Sequence, residues 1–168
     1  MGLDMYLSKR TYVKNWDHMA SHERHTITVA GPSAASITPA RISSIEEEVG
    51  YWRKANAIHQ WFVTHCQGGT DDCRDAYVSR TDLTALLETC KRVLMEPEKA
   101  AELLPPQSGF FFGSTDIDEY FYWKNVRDTV ALLESLLAED TRHADFYRSE
   151  EHTLNSSHSQ QSRMPSSA

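Results

Sequence analysis

Five side chains in the middle of the sequence have the chemistry of a ligand-binding site: Glu48, Trp52, Arg53, Asn56 and His59. Trp52 offers a flat stacking surface, and the other four offer hydrogen bonds or charge to a polar ligand. On a helix, Glu48, Asn56 and His59 would share one face with Trp52. A polar group that is buried without a partner costs about 1–3 kcal/mol, so these side chains must bind either a ligand or neighbouring protein groups.

Two interpretations of this face stay open. In the first it belongs to the core, where Glu48 caps a loop, Asn56 bonds a neighbouring backbone and His59 is an enclosed histidine. In the second it borders a pocket for a small polar or nucleotide-like ligand. We therefore name Glu48, Trp52, Arg53, Asn56 and His59 as candidate ligand-binding residues, and we assign no catalytic residue, metal ligand or cofactor.

Two other clusters contain residue types that bind metal ions in proteins. His18, His22 and His25 have a spacing that suits a helical metal site, but the segment lacks the H-E-x-x-H arrangement. The carboxylates within residues 71–75 do not follow the order of a calcium-binding loop. Both clusters are better explained as solvated polar segments, so no metal is expected.

The elements that must position the five residues begin with a predicted helix over residues 42–66. Ser43 or Ser44 can cap its start, where three glutamates favour the positive end of the helix dipole, and Gln67-Gly68-Gly69 ends it. Gly50 inside this helix suggests close packing of another backbone. The apolar residues that recur at helical spacing are Ile45, Val49, Trp52, Phe62, Val63 and Cys66.

The remaining patterns predict an α+β fold in which a small antiparallel sheet, made of an N-terminal hairpin and short strands, packs against three main helices. The predicted strands are Leu3–Val13, paired with Thr26–Val29 in the hairpin, then Ala76–Val78, Gly109–Gly113 and an edge strand Ala144–Tyr147. The predicted helices are the central one, a second that a Ser79–Asp82 capping box begins, a short one at Glu96–Leu104, and a third main helix from Asp118.

Composition limits the class of protein. A chain of 168 residues with 40% hydrophobic residues suits one domain, which we place at residues 1–147. The net charge of −7 without a basic block argues against nucleic-acid binding. Three cysteines without a CxxC pair, no apolar leader and no long apolar run predict a cytoplasmic protein with no membrane partner.

The end of the chain differs from the rest. Residues 148–168, RSEEHTLNSSHSQQSRMPSSA, are serine-rich and contain no aromatic residue, so we expect this tail to be disordered. The string resembles a translation of sequencing-adapter DNA fused to a reading frame. That resemblance implies a non-native tail and a gene from a draft or metagenomic assembly.

Three separated motifs carry a second resemblance. They are MGLDMYL at residues 1–7, EEVGYWRKANAIHQWF at residues 47–62 and QSGFFFGSTDIDEYF at residues 107–121. Together they resemble a family of uncharacterised small proteins of bacteriophages and their host bacteria, over residues 1–147. Family members continue with a second tyrosine and a Ser-Ser-Trp-like ending, from which this chain departs after Tyr147. The resemblance implies a phage or mobile-element setting in the host cytoplasm and supplies no activity.

Three functions are compatible with these patterns. The first is a non-enzymatic binding protein that acts on a host protein or sequesters a small polar or nucleotide-like ligand. The second is a small hydrolase or transferase that uses His59 and Glu48, which are about 16 Å apart along a helix and so need partners such as Asp4 or Asp116. The third is a structural module that docks a partner through the hairpin edge or through Trp61, for which packing against the strands is the alternative. We favour the first and leave the oligomeric state open.

Overall fold

The structure, a computed structural model, describes residues 2–109 and 114–153. The predicted α+β class is confirmed, since helices pack on one antiparallel sheet within a single domain. A π-helical turn at Glu119–Trp123 leads directly into the last helix. The strands are β1 (Gly2–Tyr12), β2 (Ser44–Arg53), β3 (Ala76–Val78) and β4 (Ala144–Thr153), and the helices are α1 (Asn56–Cys66), α2 (Arg80–Met95), α3 (Ala100–Leu103) and α4 (Lys124–Leu137).

The four strands lie in the order β2-β1-β4-β3, and all neighbours are antiparallel. β1 and β4 form the middle of the sheet and pair from Gly2 opposite Thr153 to Thr11 opposite Ala144. The two ends of the described chain therefore form the centre of the sheet, while β2 and β3 form its edges.

One face of the sheet forms the core with the helices. Successive side chains of a strand point to opposite faces, and Leu3, Met5 and Leu7 of β1 all point inward and are fully buried. They join a cluster that includes Leu86 of α2 and Leu133 of α4. Each such side chain contributes about 1.5–3 kcal/mol on burial. None of the helices within the described ranges is long and apolar enough to cross a lipid bilayer.

The predicted central helix over residues 42–66 is wrong in its first half. Residues Ser44–Arg53 form β2, and α1 begins only at Asn56. Glu48 therefore lies on a strand and does not share a helical face with Asn56 and His59. The second half of the prediction is confirmed, because α1 ends at Cys66 just before the glycine pair.

A β-bulge explains the helical spacing of the apolar residues in β2. The pairing with β1 passes from Leu7 opposite Gly50 to Ser8 opposite Glu48, so Val49 is an extra residue on β2. An extra residue interrupts the alternation by which strands are recognised. Gly50 is closely packed as expected, but its neighbours are side chains: a Cβ there would lie 3.2 Å from atoms of Leu7 and Trp52.

Three further predictions about the sheet are wrong. Residues Thr26–Val29 form no strand, and β1 pairs instead with β2 and β4. The last strand is not an edge, since β4 lies between β1 and β3. It also continues beyond Tyr147, because Arg148–Thr153 pair with β1, so disorder from residue 148 onward is wrong for these residues. The rest of the predicted tail lies outside the described residues.

Several local predictions are confirmed. The Ser79 hydroxyl accepts a hydrogen bond from the Asp82 backbone N–H, and the Asp82 carboxylate accepts one from the Ser79 N–H, which completes the capping box of α2. Asp118 caps the turn before α4 by accepting from the Phe121 N–H at 2.8 Å. β3 has the predicted bounds. Of the strand predicted at Gly109–Gly113, residues 110–113 lie outside the described residues.

Candidate functional site

Trp52 is a core residue. Its indole is 3% exposed, donates from Nε1 to the Thr129 hydroxyl at 2.8 Å, and meets the Phe62 ring edge-on at a centroid distance of 5.7 Å. Both its polar atom and most of its ring are therefore engaged within the protein. It cannot present the open stacking face that the helical interpretation required.

Asn56 binds backbone groups on both sides of the segment before α4. Its amide nitrogen donates to the Ser114 carbonyl at 2.7 Å, and its amide oxygen accepts from the Gln107 N–H at 3.2 Å. Its side chain thus holds Gln107 and Ser114 against the start of α1. This matches the first interpretation of the five-residue face.

His59 is enclosed in a cluster of charged groups under the sheet. It is 1% exposed, with Nε2 3.1 Å from Asp71 Oδ2 and Nδ1 3.2 Å from Glu150 Oε2. The guanidinium of Arg148, itself fully buried, lies 2.5 Å from His59 Nδ1 and contacts Glu150. Burial alone would raise the Glu150 pKa, but the hydrogen bond from His59 and the charge of Arg148 together hold that pKa below its ordinary range.

Three residues of this cluster have side chains of the kinds that bind metal ions in proteins. His59, Asp71 and Glu150 place one ligand atom each within 4.8 Å of one another. The positive charge that would bind two carboxylates is already supplied by the Arg148 guanidinium, and a second buried cation beside it would be repelled. The cluster is therefore better described as an internal ion pair than as a metal site.

Glu48 and Arg53 lie elsewhere. Glu48 is exposed on the sheet face that points away from the helices, and Arg53 is exposed at the end of β2, with Nε 3.9 Å from Asp4 Oδ1. Glu48 and His59 are thus on opposite sides of the sheet and share no reaction centre. The acid/base pairing considered for an enzyme has no geometric support.

Trp61 is a candidate docking residue for which packing within the protein is the alternative, and the structure shows the packed arrangement. The indole is buried, meets Phe62 edge-on at 5.7 Å and stacks on the His65 ring at 4.1 Å. The face of α1 that carries Trp61 is therefore covered by the protein itself.

The structure shows instead an open cleft between the end of β2 and the start of α4, which we call the β2 cleft. Its volume is about 530 Å³. Arg53 and Trp52 of the predicted set lie at its wall, whereas Glu48, Asn56 and His59 do not. The lining residues are Tyr51, Trp52, Arg53, Lys54, Tyr120, Phe121, Lys124, Asn125 and Asp128.

Cations and aromatic rings line the β2 cleft together. Three basic side chains of the described residues line it, those of Arg53, Lys54 and Lys124, and the Lys124 ammonium is ion-paired with the carboxylate of Asp128. Tyr120 is 75% exposed, and its ring meets that of Phe121 edge-on at 4.6 Å. In a chain with a net charge of −7 this is a local reversal of sign.

Lys54 holds a backbone conformation that is rare for its residue type. Its φ of 54° lies in the left-handed region, which costs a lysine about 1 kcal/mol or more. The strain is imposed by the tight passage from β2 to α1, where the Lys54 N–H donates to the Leu3 carbonyl at 2.8 Å. Lys54 thus lines both the cleft and the crevice beside the first turn of α1.

The start of α1 adjoins the same cleft. Its N-cap residue is Ala55, whose methyl side chain cannot cap the helix, and a narrow crevice of about 10 Å³ between this helix end and Asp116 shares Lys54 and Phe121 with the cleft. The partial positive charge of a helix N-terminus adds to the field of the lysines.

Tyr51 supplies a neutral aromatic ring at the rim. Its hydroxyl donates to Asp4 Oδ1 at 2.6 Å, and this hydrogen bond, with partial burial, raises the pKa of Tyr51 to about 12. The ring therefore stays uncharged throughout the physiological range. Sequence patterns indicated Arg53 and Trp52 but not Lys54, Tyr120 or Lys124, since no short-range signal links residues 51–54 to 120–128.

Comparison of the chain with protein-family models, with curated proteins and with solved structures found no match.

Proposed function

We propose that the protein is a small non-enzymatic binding protein whose β2 cleft takes a planar anionic ligand such as a nucleotide. The observation that carries the proposal is the gathering of Arg53, Lys54 and Lys124 with exposed aromatic rings on one concave surface of an acidic chain. Phosphate groups are bound by lysine and arginine, and bases stack on tyrosine and phenylalanine rings. The family resemblance adds a setting, in which a phage protein sequesters such a ligand in the host cytoplasm.

The size of the cleft supports a small ligand over a nucleic-acid strand. A volume of about 530 Å³ falls in the range of small-molecule sites, which is about 300–1,000 Å³. The chain as a whole has a net charge of −7, which would repel a longer phosphate backbone.

The test is a thermal-shift screen of the full chain against mononucleotides and cyclic dinucleotides, followed by calorimetric titration of any hit. A ligand at about 100 times its dissociation constant adds about 2.7 kcal/mol to the free energy of unfolding. We expect the double variant Lys54→Gln/Lys124→Gln and the variant Tyr120→Ser each to weaken binding by about tenfold or more, because each removes a charged or stacking contact.

Two matched controls separate the site from general effects of charge and surface area. Lys91→Gln removes an exposed lysine of α2, and Tyr77→Ser removes an exposed tyrosine of β3, both outside the cleft. These variants should bind as the parent does. The proposal is wrong if no nucleotide shifts the unfolding temperature, or if the controls lose binding as strongly as the cleft variants.

Lys54→Gly separates binding from stability. Glycine adopts the left-handed backbone without strain, so this variant should unfold at the same temperature as the parent or higher. Its binding should nevertheless fall about tenfold with the lost ammonium group. A drop in binding that only follows a drop in stability would contradict the proposed role of Lys54.

A further inference from the structure

The face of the sheet that points away from the helices carries a group of tyrosines, which we call the tyrosine face. It is built by the strand residues that alternate with the buried Leu3, Met5 and Leu7. The pairing register places them side by side across all four strands. The tyrosines of this face are Tyr6 and Tyr12 of β1, Tyr51 of β2, Tyr77 of β3 and Tyr147 of β4.

Three of these rings are open to solvent, and four of the five lie in pairs. Tyr77 is 54% exposed, and Tyr12 and Tyr51 are each 47% exposed. The Tyr6 and Tyr51 rings lie 5.3 Å apart, and the Tyr77 and Tyr147 rings 5.9 Å apart. Within the described ranges, α1, α2 and α4 contribute to the core on the opposite side of the sheet.

The same face carries an excess of negative charge. Five carboxylates and two guanidinium groups point outward here, which leaves an excess of three negative charges. The cations are Arg10 and Arg53. The carboxylates are Asp4 and, from the flanking strands, Glu46, Glu48, Asp145 and Glu151.

Arg10 shows how this face receives a cation. Its guanidinium carbon lies 4.5 Å from the centre of the Tyr147 ring, while Nη2 is 3.0 Å from Glu46 Oε2. A tyrosine ring face and a carboxylate together are a favourable environment for arginine. Tyr77 and Tyr12 offer further rings, beside Tyr147 and Asp145 respectively.

We propose that the tyrosine face docks a basic protein partner, one that presents arginine or lysine side chains from an extended or flat surface. Tyrosines supply large contact areas at a low cost in conformational entropy and are enriched at the energetic centres of interfaces. The excess of carboxylates selects a basic partner by charge complementarity. A second copy of this chain would bring like charges together, and a nucleic acid would be repelled.

Peptides of equal length test this proposal with the full chain: one alternating Arg and Thr, one alternating Glu and Thr, and one alternating Gln and Thr. Calorimetry and nuclear magnetic resonance shift mapping should show binding of the arginine peptide alone, with the largest shifts at β3 and β4. Tyr77→Ser/Tyr147→Ser should weaken it by about tenfold. The cleft variants Lys54→Gln and Tyr120→Ser should leave it unchanged, which separates this proposal from the proposed function.

Charge variants distinguish this face from general attraction to an acidic protein. Glu46→Gln/Glu48→Gln/Asp145→Asn removes three carboxylates from the tyrosine face, and Glu88→Gln/Glu98→Gln/Glu102→Gln removes three exposed ones from the helical side. Only the first set should weaken binding, with the fold shown intact by circular dichroism. Equal losses in both sets, no binding of the arginine peptide, or a self-association that Tyr77→Ser abolishes would each overturn the proposal.

Discussion

The pair Arg148 and Glu150 is the least expected feature at the scale of single residues. Both are inward-facing on β4, where the neighbouring inward residue Phe146 is apolar, and both side chains are fully enclosed. Within the described residues, Arg148 Nε is buried without a hydrogen-bond partner. A buried ion pair regains little more than the free energy lost on removing both charges from water. The pair therefore reduces stability relative to apolar residues of similar size.

We expect Arg148→Leu alone to destabilise the fold by about 3 kcal/mol, since it leaves the Glu150 carboxylate enclosed without its cation. Arg148→Leu/Glu150→Leu removes both charges and should be at least as stable as the parent. Unfolding in urea measures both effects. A double variant no more stable than Arg148→Leu would show that the pair stabilises the fold.

Acid unfolding provides a second measurement of the same pair. The Glu150 pKa is lowered in the folded state from its ordinary value of 4.5, so the folded state holds this proton less tightly than the unfolded chain does. The ionised Glu150 carboxylate contributes to the free energy of unfolding above pH 4.5, and this contribution is lost as the pH falls through the lower pKa that Glu150 has in the folded state. The parent should lose stability below pH 4.5 more steeply than the double variant.

At the scale of elements, β2 decides where every candidate site lies. Because β2 is a strand with a bulge at Val49, Glu48 points to the outer face of the sheet and Trp52 points into the core. The strand ends just before Lys54, which has a strained backbone. As a helix, it would have gathered Glu48 and Trp52 on one side. A substitution at Gly50 can distinguish the strand from the helix, because Gly50 lies within β2 opposite Leu7.

The substitution Gly50→Ala tests the strand directly. In the structure a Cβ at residue 50 meets Leu132 Cδ1, Leu7 Cβ and Trp52 Cη2, each at 3.2 Å, so we expect a loss of about 1–2 kcal/mol from overpacking. In an exposed helix the same change would stabilise by about 1 kcal/mol. Chemical denaturation gives the sign, with Val49→Ala as a control for lost apolar contact beside it. A stabilising effect would contradict the position of β2.

At the scale of the whole molecule, the first strand and the last described strand support each other. β1 and β4 are the two central strands, and they are separated by almost the whole chain. The two proposed binding surfaces follow from this arrangement, since the β2 cleft lies along one edge of the sheet and the tyrosine face covers its outer side. The two surfaces have opposite charge and meet at Tyr51 and Arg53.

Truncation measures how much the fold depends on β4. A chain that ends at Thr153 keeps every described contact and should unfold at the same temperature as the full chain. A chain that ends at His143 loses the strand that joins β1 to β3, together with Phe146, and should show no cooperative unfolding. Retained cooperative unfolding in the shorter chain would contradict the central position of β4.

Local patterns in the sequence determined the α+β class, the capping boundary of α2 at Ser79, the cap at Asp118 and the extent of β3. Each of these depends on neighbours in sequence, whose side chains interact with the backbone within one turn. Tertiary structure decided that Ser44–Arg53 is a strand, because its alternation is broken by Val49 and only pairing with β1 identifies it. Tertiary structure also decided the binding surfaces. Lys54 and Lys124 line the same cleft, and the Tyr77 and Tyr147 rings pack together, only after distant segments of the chain are brought together.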